Sequence, residues 1–455
     1  MNPELIRNLW IELSTRRLFL MFGVLGLIFA AAAVGGSDFR APKQTGEILF
    51  YIVVVLWGTR KAAEAVIGEI RDRTWDNQRL SAITAWDMVW GKLFGATSYV
   101  WTGGLMCIAV IVAATFAEEG LASAIYDLFY YLSIGVIGHA VALQASLAAA
   151  RRRTTHSRLD VFLYQLAGLI AAWCVWAVWQ TALPDGWFRG AHGPIETVAW
   201  WSQTISAPVF YLTSLAVFFG WALVGNNQLM RQELQMPVGP IAWVGFLLFM
   251  ALYSAGFADL AVGDTATLTA VRLAAAYATL GALTYASVFI ERKDRVQIRW
   301  LGSRLMAGRI DQVLWNLPGW AYAFIGTAVA ASWLNFELTG LPEIKAGDET
   351  LSRVFLLASL GALARDIGIF LFFHMLPRQR RGDFAAIVTL ILIYVVIPVI
   401  LKGVGLGAVS FVFIPQNPEQ ASWTSVVAAW AAAGVVWALA FSRASIEPKG
   451  EPGGD

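Results

Sequence analysis

Charge is scarce in this chain. Only 14% of its 455 residues are Asp, Glu, Lys or Arg, where soluble domains carry about 25%. With 58% hydrophobic residues and a mean hydropathy of +0.61, a water-soluble globular protein is excluded. Histidine is scarce as well. His139, His156, His192 and His374 are scattered, and His139 has no His or carboxylate three or four positions away, so the pattern supports no metal site. The two cysteines, Cys107 and Cys174, each sit inside an apolar run and read as small buried residues, not as a disulfide framework. A phosphate-cradling Gly-x-x-x-x-Gly-Lys-Ser/Thr loop is missing: the Gly91–Lys92 pair is followed by Leu93. The chain therefore has no ATP site of its own that sequence can show. No Asn-x-Ser/Thr acceptor occurs, and no alternating ten-residue apolar pattern marks a β-barrel.

Long apolar runs are what the chain has in abundance. A hydrocarbon core roughly 30 Å thick needs about 20 apolar residues per helical span. Twelve runs qualify: about 18–36, 47–67, 93–116, 127–150, 161–182, 204–225, 239–258, 267–290, 318–335, 352–375, 384–402 and 422–441. The run Leu18–Gly36 is read as a retained span and not as a cleaved leader, because Met1–Arg17 is helical in pattern. With the N-terminus in the cytoplasm, 25 of the 33 Lys and Arg residues fall in cytoplasmic segments and seven in outer ones. That asymmetry follows the positive-inside rule and places both termini in the cytoplasm.

The chain also repeats itself. "NPELIR" at Asn2–Arg7 returns as "NNQLMR" at Asn226–Arg231, "EIRDR" at Glu69–Arg73 as "ERKDR" at Glu291–Arg295, and "SRLD" at Ser157–Asp160 as "RRGD" at Arg380–Asp383. The offsets are nearly equal, so the expected fold is an all-α polytopic membrane protein with two parallel six-span halves, 1–225 and 226–441. A disordered tail is expected over 442–455.

Each half is expected to start with a short polar helix. In the first, Asn2 suits an N-cap and Pro3 the first turn. Ile6, Leu9, Trp10 and Leu13 form an apolar stripe for a helix lying in the membrane interface. Between the second and third runs lies "GEIRDRTWDNQRLSAITAWDMVWGKLFG", Gly68–Gly95. Trp75, Ile83, Trp86 and Trp90 fall on one helical side, Arg79 spoils the face, and a break is expected near Asn77. Such a charged element, with its apolar side resting on the bundle or headgroups and its charges facing the cytoplasm, is suited to docking a soluble partner.

This stretch resembles the loop between the second and third spans of ABC-2 type permeases, the transmembrane subunits of ATP-binding-cassette exporters. Their amphipathic helix, six spans per half and cytoplasmic coupling helix fit the whole length in outline. Similarity at the level of motifs is confined to residues 58–95. Their partly re-entrant outer segment has candidates here at Leu183–Gln203 and Gly403–Ala421. The second half keeps "ERKDR" and then diverges, so the halves are inequivalent and fused in one chain. The resemblance implies an exporter permease of the cell (inner) membrane; the mostly apolar interior favours a hydrophobic or lipid-like substrate. ATP and Mg would be held by two separate nucleotide-binding subunits, with no cofactor and no enzymatic activity in this chain. It also implies coupling to the ATPase through Glu69, Arg71, Asp72, Arg73, Thr74 and Trp75, and through Glu291, Lys293, Asp294 and Arg295. The lipid bilayer is the other partner; no nucleic-acid partner is expected.

Three further residues stand out. Arg365 and Asp366 lie inside the tenth run, where charge is expensive; they either mark a pathway or make a structural contact, and neighbouring helical residues need not pair. His139 in the fourth run reads first as a packing histidine. "RRRTTHSR" at Arg151–Arg158 reads as a positive-inside anchor. Two alternatives to the exporter remain, a proton-coupled secondary transporter and a membrane-embedded lipid-modifying enzyme. The second would need convergent carboxylate, histidine or metal-ligand clusters at one depth, which the sequence does not show.

Overall fold

A computed structural model describes residues 2–34, 39–150, 158–182, 196–258, 265–291, 293–339, 344–346, 349–376, 382–414 and 422–445. The expected tail beyond Ser445, residues 183–195 and 415–421 of the two outer segments, and residues 151–157 of the basic anchor lie outside these residues. The protein is a helical, polytopic membrane protein. Nine helices among the described residues are long and apolar enough to cross a membrane, and the chain divides into two compact units.

Unit 1 takes residues 1–198 and 204–238. Its first helix, α1 (Pro3–Glu12), starts as the sequence predicts: the Asn2 side chain accepts a hydrogen bond from the Leu5 amide at 3.0 Å, with Pro3 in the first turn. There follow α2 (Thr15–Val34), α3 (Arg40–Phe50) and α4 (Thr59–Arg71), the last two joined without a break by a π-helical segment, Tyr51–Gly58. Two short helices come next, α5 (Trp75–Arg79) and α6 (Ala85–Trp90). A second π segment, Gly91–Gly95, leads into α7 (Ser98–Glu119). The break that the charges predict near Asn77 falls a little later, at 80–84. Gly120, at φ +91°, turns the chain within one residue into α8 (Leu121–Ala150). Unit 1 continues with α9 (Arg158–Ala182) and α10 (Ala207–Glu233). The central member is α8, with 61% of its most apolar stretch buried, packed on α4, α7, α9 and α10.

The segment expected to open the second half, Asn226–Arg231, is the last part of α10. It continues a spanning helix instead of forming a separate polar one. Asn226 is buried there, donating to the carbonyls of Ala140 and Ala222, both at 2.9 Å.

Unit 2 takes residues 199–203 and 239–455. Its helices are α11 (Ile241–Ala255), α12 (Thr265–Ile290), α13 (Arg295–Met306), α14 (Ile310–Trp315), α15 (Gly319–Glu337), α16 (Arg353–Met375), α17 (Gly382–Ile391), α18 (Ile397–Gly403) and α19 (Trp423–Ser445). A third π segment, Leu392–Val396, joins α17 to α18. At 15 residues, α11 is apolar but short. The centre of this unit is α16, with 78% of its apolar stretch buried against α12, α15, α17 and α19.

Candidate functional site

The charged stretch after α4 does not simply face solvent. Its residues divide into an exposed corner and a buried hub. Arg71, Asp72, Arg73 and Thr74 are exposed, with Arg73 in the left-handed region at φ +58°. Glu69 and Trp75 turn inward. Glu69 accepts hydrogen bonds from Lys92 and Arg7, and from Gln78 Nε2 at 2.7 Å. Lys92 also reaches Glu4 at 2.7 Å, and both of those side chains are only 1% exposed. Trp75, 4% exposed, packs with Val66, Met88, Val89 and Leu93, its ring 5.7 Å from the Lys92 ammonium. The ring is therefore part of the core and unavailable to a partner's groove.

Backbone shape makes the hub possible. A Cβ at Gly91 would stand 2.4 Å from Glu4 Cγ, and one at Gly95 2.7 Å from Asn8 Cβ. The two glycines of the π segment thus form the trough in which α1 lies. Asn8 donates to the Gly91 carbonyl at 3.2 Å and Asn2 to the Asp87 carbonyl at 2.7 Å. Lys61 pairs with Glu12 at 2.9 Å and fixes the far end of α1 to α4. The buried face of α1 is thus its polar one, Glu4 and Asn8, while Trp10 and Ile11 are exposed. This orientation suits a helix whose outer face meets lipid.

The electrostatics of Glu69 follow. Burial opposes its ionisation, but the Lys92 ammonium, with hydrogen bonds from Lys92, Arg7 and Gln78, outweighs burial and holds the carboxyl below its ordinary value of 4.5. Because the folded-state value is depressed, the stabilisation is fully present above 4.5 and is lost as pH falls through the lower folded value. Thermal unfolding of the detergent-solubilised protein should therefore show stability dropping on acidification through that window. Glu69→Gln should have a shallower acid slope; an unchanged slope would mean that Glu69 is not paired as described.

In unit 2 the corresponding residues are also spent within the chain. The Glu291 carboxylate accepts from the amides of Gly319 (2.9 Å) and Trp320 (3.3 Å), capping α15. Lys293 donates to Asp383 at 3.0 Å, and His374 lies 3.2 Å from the same oxygen. Asp294 caps α13 through the Val296 amide at 2.9 Å, and Arg295 donates to the Arg443 carbonyl at 2.7 Å. Of these four residues only Asp294 is exposed.

Midway along α16, about 18 Å from its Arg353 end at 1.5 Å per residue, sits a second polar cluster. Arg365 and Asp366 do pair: Arg365 Nε donates to Asp366 Oδ1 at 3.0 Å, the long side chain bending back past its neighbour. Tyr285 and Tyr394 each donate to Asp366 Oδ2 at 2.7 Å, and Arg365 Nη1 donates to the Phe413 carbonyl at 2.6 Å. One charge pair thus fastens α12, the π segment Leu392–Val396 and the chain near Phe413 to α16. In unit 1, His139 is a buried polar residue within α8. Its Nε2 donates to the Val54 carbonyl at 2.8 Å, inside the first π segment. Its ring fits against Gly58, where a Cβ would stand 2.1 Å from Nε2. Each π segment therefore coincides with a buried polar contact, as wide helical turns often do. Among the described residues, no group of three or more His, Cys, Asp or Glu could hold a metal ion.

Sequence reasoning singled out Glu69, Trp75, His139, Arg365 and Asp366. It missed Glu4, Arg7, Asn8, Lys92, Tyr285 and Tyr394, whose partners lie far off in sequence. Compared with known proteins, the chain matches no family model, no curated protein and no solved structure.

Proposed function

We propose that this chain is the permease subunit of an ABC-2 type exporter, with twelve spans in two inequivalent six-span halves and both termini cytoplasmic. ATP hydrolysis would occur in two separate nucleotide-binding subunits, and the substrate would be hydrophobic or lipid-like. The observation that carries this reading is the hub in unit 1. An exposed, charged corner, Arg71–Thr74, leads directly out of α4. Glu69, two residues earlier, is tied by ion pairs to Lys92 at the foot of α7 and to Arg7 on α1. A push on that corner is thereby delivered to three elements at once, which is what coupling to a soluble ATPase requires. In this reading, docking belongs to Arg71, Asp72, Arg73 and Thr74, while Glu69 and Trp75 transmit.

The test is charge reversal at the corner. Surface charge changes usually alter stability within about 0.5 kcal/mol, whereas losing one member of a desolvated interfacial charge pair costs about 2–5 kcal/mol, thirtyfold or more in affinity. Arg71→Glu with Arg73→Glu should leave the protein inserted and abundant yet strip the ATPase from it on co-purification. Full co-purification together with full transport would remove the coupling role. Trp75→Ala would not serve, because it empties a core position.

One observation favours a second reading, a proton-coupled transporter: Asp366, with its two tyrosines, lies midway along a buried spanning helix. Transport that survives loss of ATP and stops when the proton gradient is collapsed would select it.

A further inference from the structure

The helical hairpin α13–α14 in unit 2 has no buried residue in either helix, although it carries many large apolar side chains. Ile298 and Leu301 are half-buried, Ile298 against the core of the unit. Val296, Leu305, Ile310, Leu314 and Trp315 are more than half exposed, and Met306 is 95% exposed at the tip. The turn between the helices runs through Gly308 at φ +72°. Arg299, Arg304 and Arg309 are spaced along the hairpin with Asp311 as the acid among them, and no ion pair is recorded for these three arginines among the described residues.

The ends of the hairpin fix its level. Tyr322, in the first turn of α15, donates to the Leu314 carbonyl. Gln297 donates to the Asn316 carbonyl at 3.3 Å. The Trp315 ring closes over Gly239, where a Cβ would stand 2.8 Å away, and Trp243 on α11 donates to the Gly319 carbonyl at 2.9 Å. Thus α14 lies beside the first turns of α11 and α15. Ile310 and Leu314, one turn apart, project there without protein cover.

We infer that the α13–α14 hairpin is a membrane-surface anchor for anionic lipid, with Arg299, Arg304 and Arg309 on headgroup phosphates and Leu305, Met306, Ile310 and Leu314 in the acyl boundary. Apolar residues alone would fit any interface; interleaved arginines at headgroup level select an anionic leaflet. The assignment of that leaflet to the cytoplasmic side rests on the proposed topology; the contact itself does not. It also makes the two units different in kind. The corner of unit 1 mixes Arg71, Asp72, Arg73 and Asp76, whereas the hairpin of unit 2 is basic and greasy.

The experiment uses the full chain in nanodiscs without any ATPase, with Cys107 and Cys174 replaced by Ser and a spin label at Met306→Cys. Collision with oxygen and with an aqueous nickel complex reads depth. In nanodiscs containing phosphatidylglycerol, the label should be shielded from nickel and open to oxygen. In pure phosphatidylcholine, or in high salt, it should become water-accessible. Arg299→Gln, Arg304→Gln and Arg309→Gln together should expose it even with anionic lipid. At about fivefold per arginine, the docking equilibrium should fall by on the order of a hundredfold. A label at Leu80→Cys, on the exposed tip of unit 1, should stay water-accessible throughout. The proposal fails if Met306 is equally exposed in both lipids, if Leu80 responds in the same way, or if Met306 is shielded only once nucleotide-binding subunits are added. The last result would make the hairpin a second docking element.

Discussion

Lys92→Ala is expected to cost unit 1 about 3–5 kcal/mol, the penalty for breaking a buried ion pair by removing one partner. The lysine is 1% exposed and stands between two carboxylates, Glu4 and Glu69. Without it, Glu4 remains buried with Asn8 Nδ2 at 2.9 Å and Arg7 at 2.9 Å, and Arg7 must then serve both acids. Two like charges would share one half-exposed guanidinium. The loss should appear as a lower unfolding midpoint in mixed micelles and as release of α1, read by faster proteolysis near Arg7. Lys92→Met combined with Glu4→Gln should recover much of the stability, because it removes an unpaired charge along with its partner and keeps the volume. A Lys92→Ala protein as stable as the parent would show that the hub is solvated. Failure of the double variant to improve on the single one would show that the unpaired Glu4 charge is not the source of the loss.

The second large effect is expected at Asp366. Asp366→Leu leaves the Arg365 guanidinium, 4% exposed, with one carbonyl and no counter-charge midway along the most buried helix. It also strands the hydroxyls of Tyr285 and Tyr394, each of which loses its acceptor at about 1–3 kcal/mol. The combined loss should exceed that of Lys92→Ala, and the protein should fail to accumulate in the membrane. Asp366→Asn keeps an acceptor for the tyrosines and should be milder. Arg365→Leu with Asp366→Leu should be milder than Asp366→Leu alone, since an apolar pair often replaces a buried ion pair at little cost. The order of stabilities in a double-mutant cycle is the measurement. A double variant worse than Asp366→Leu would mean that the two charges are held separately.

These two sites also show how far sequence reached. Arg365 and Asp366 were legible because a charge inside an apolar run is conspicuous on its own, and hydrocarbon demands that it be answered. Their answering groups were not legible: Tyr285 and Tyr394 are 81 and 28 residues from Asp366, and tyrosine in an apolar run looks like packing. The hub was misjudged in the opposite way. Glu69, Trp75 and Lys92 sit among Arg71, Asp72, Arg73 and Arg79, so the eye reads one solvated run. Only the third dimension brings Glu4 to Lys92. The spans themselves were the clearest signal, since twenty apolar residues admit few other states. The repeat match at Asn226–Arg231 misled because six polar letters at the end of a long helix resemble six at the start of a short one.

The π segments set a register that no single side chain could. Across Tyr51–Gly58 the backbone advances with a wider turn before α4 resumes the α-helical pitch. Deleting one residue there while the wide turn is kept would rotate everything beyond it by roughly 100° or slightly less about the axis. Ala62, Ala63, Val66 and Ile67 would swing off the core of unit 1, and Glu69, eleven positions past Gly58, would leave Lys92 for a different face. The bearing of the charged corner is thus indexed from inside unit 1, by the length of the backbone opposite His139. Homologous chains should therefore tolerate insertions and deletions between α5 and α6 far better than within those eight residues, whatever the side chains there.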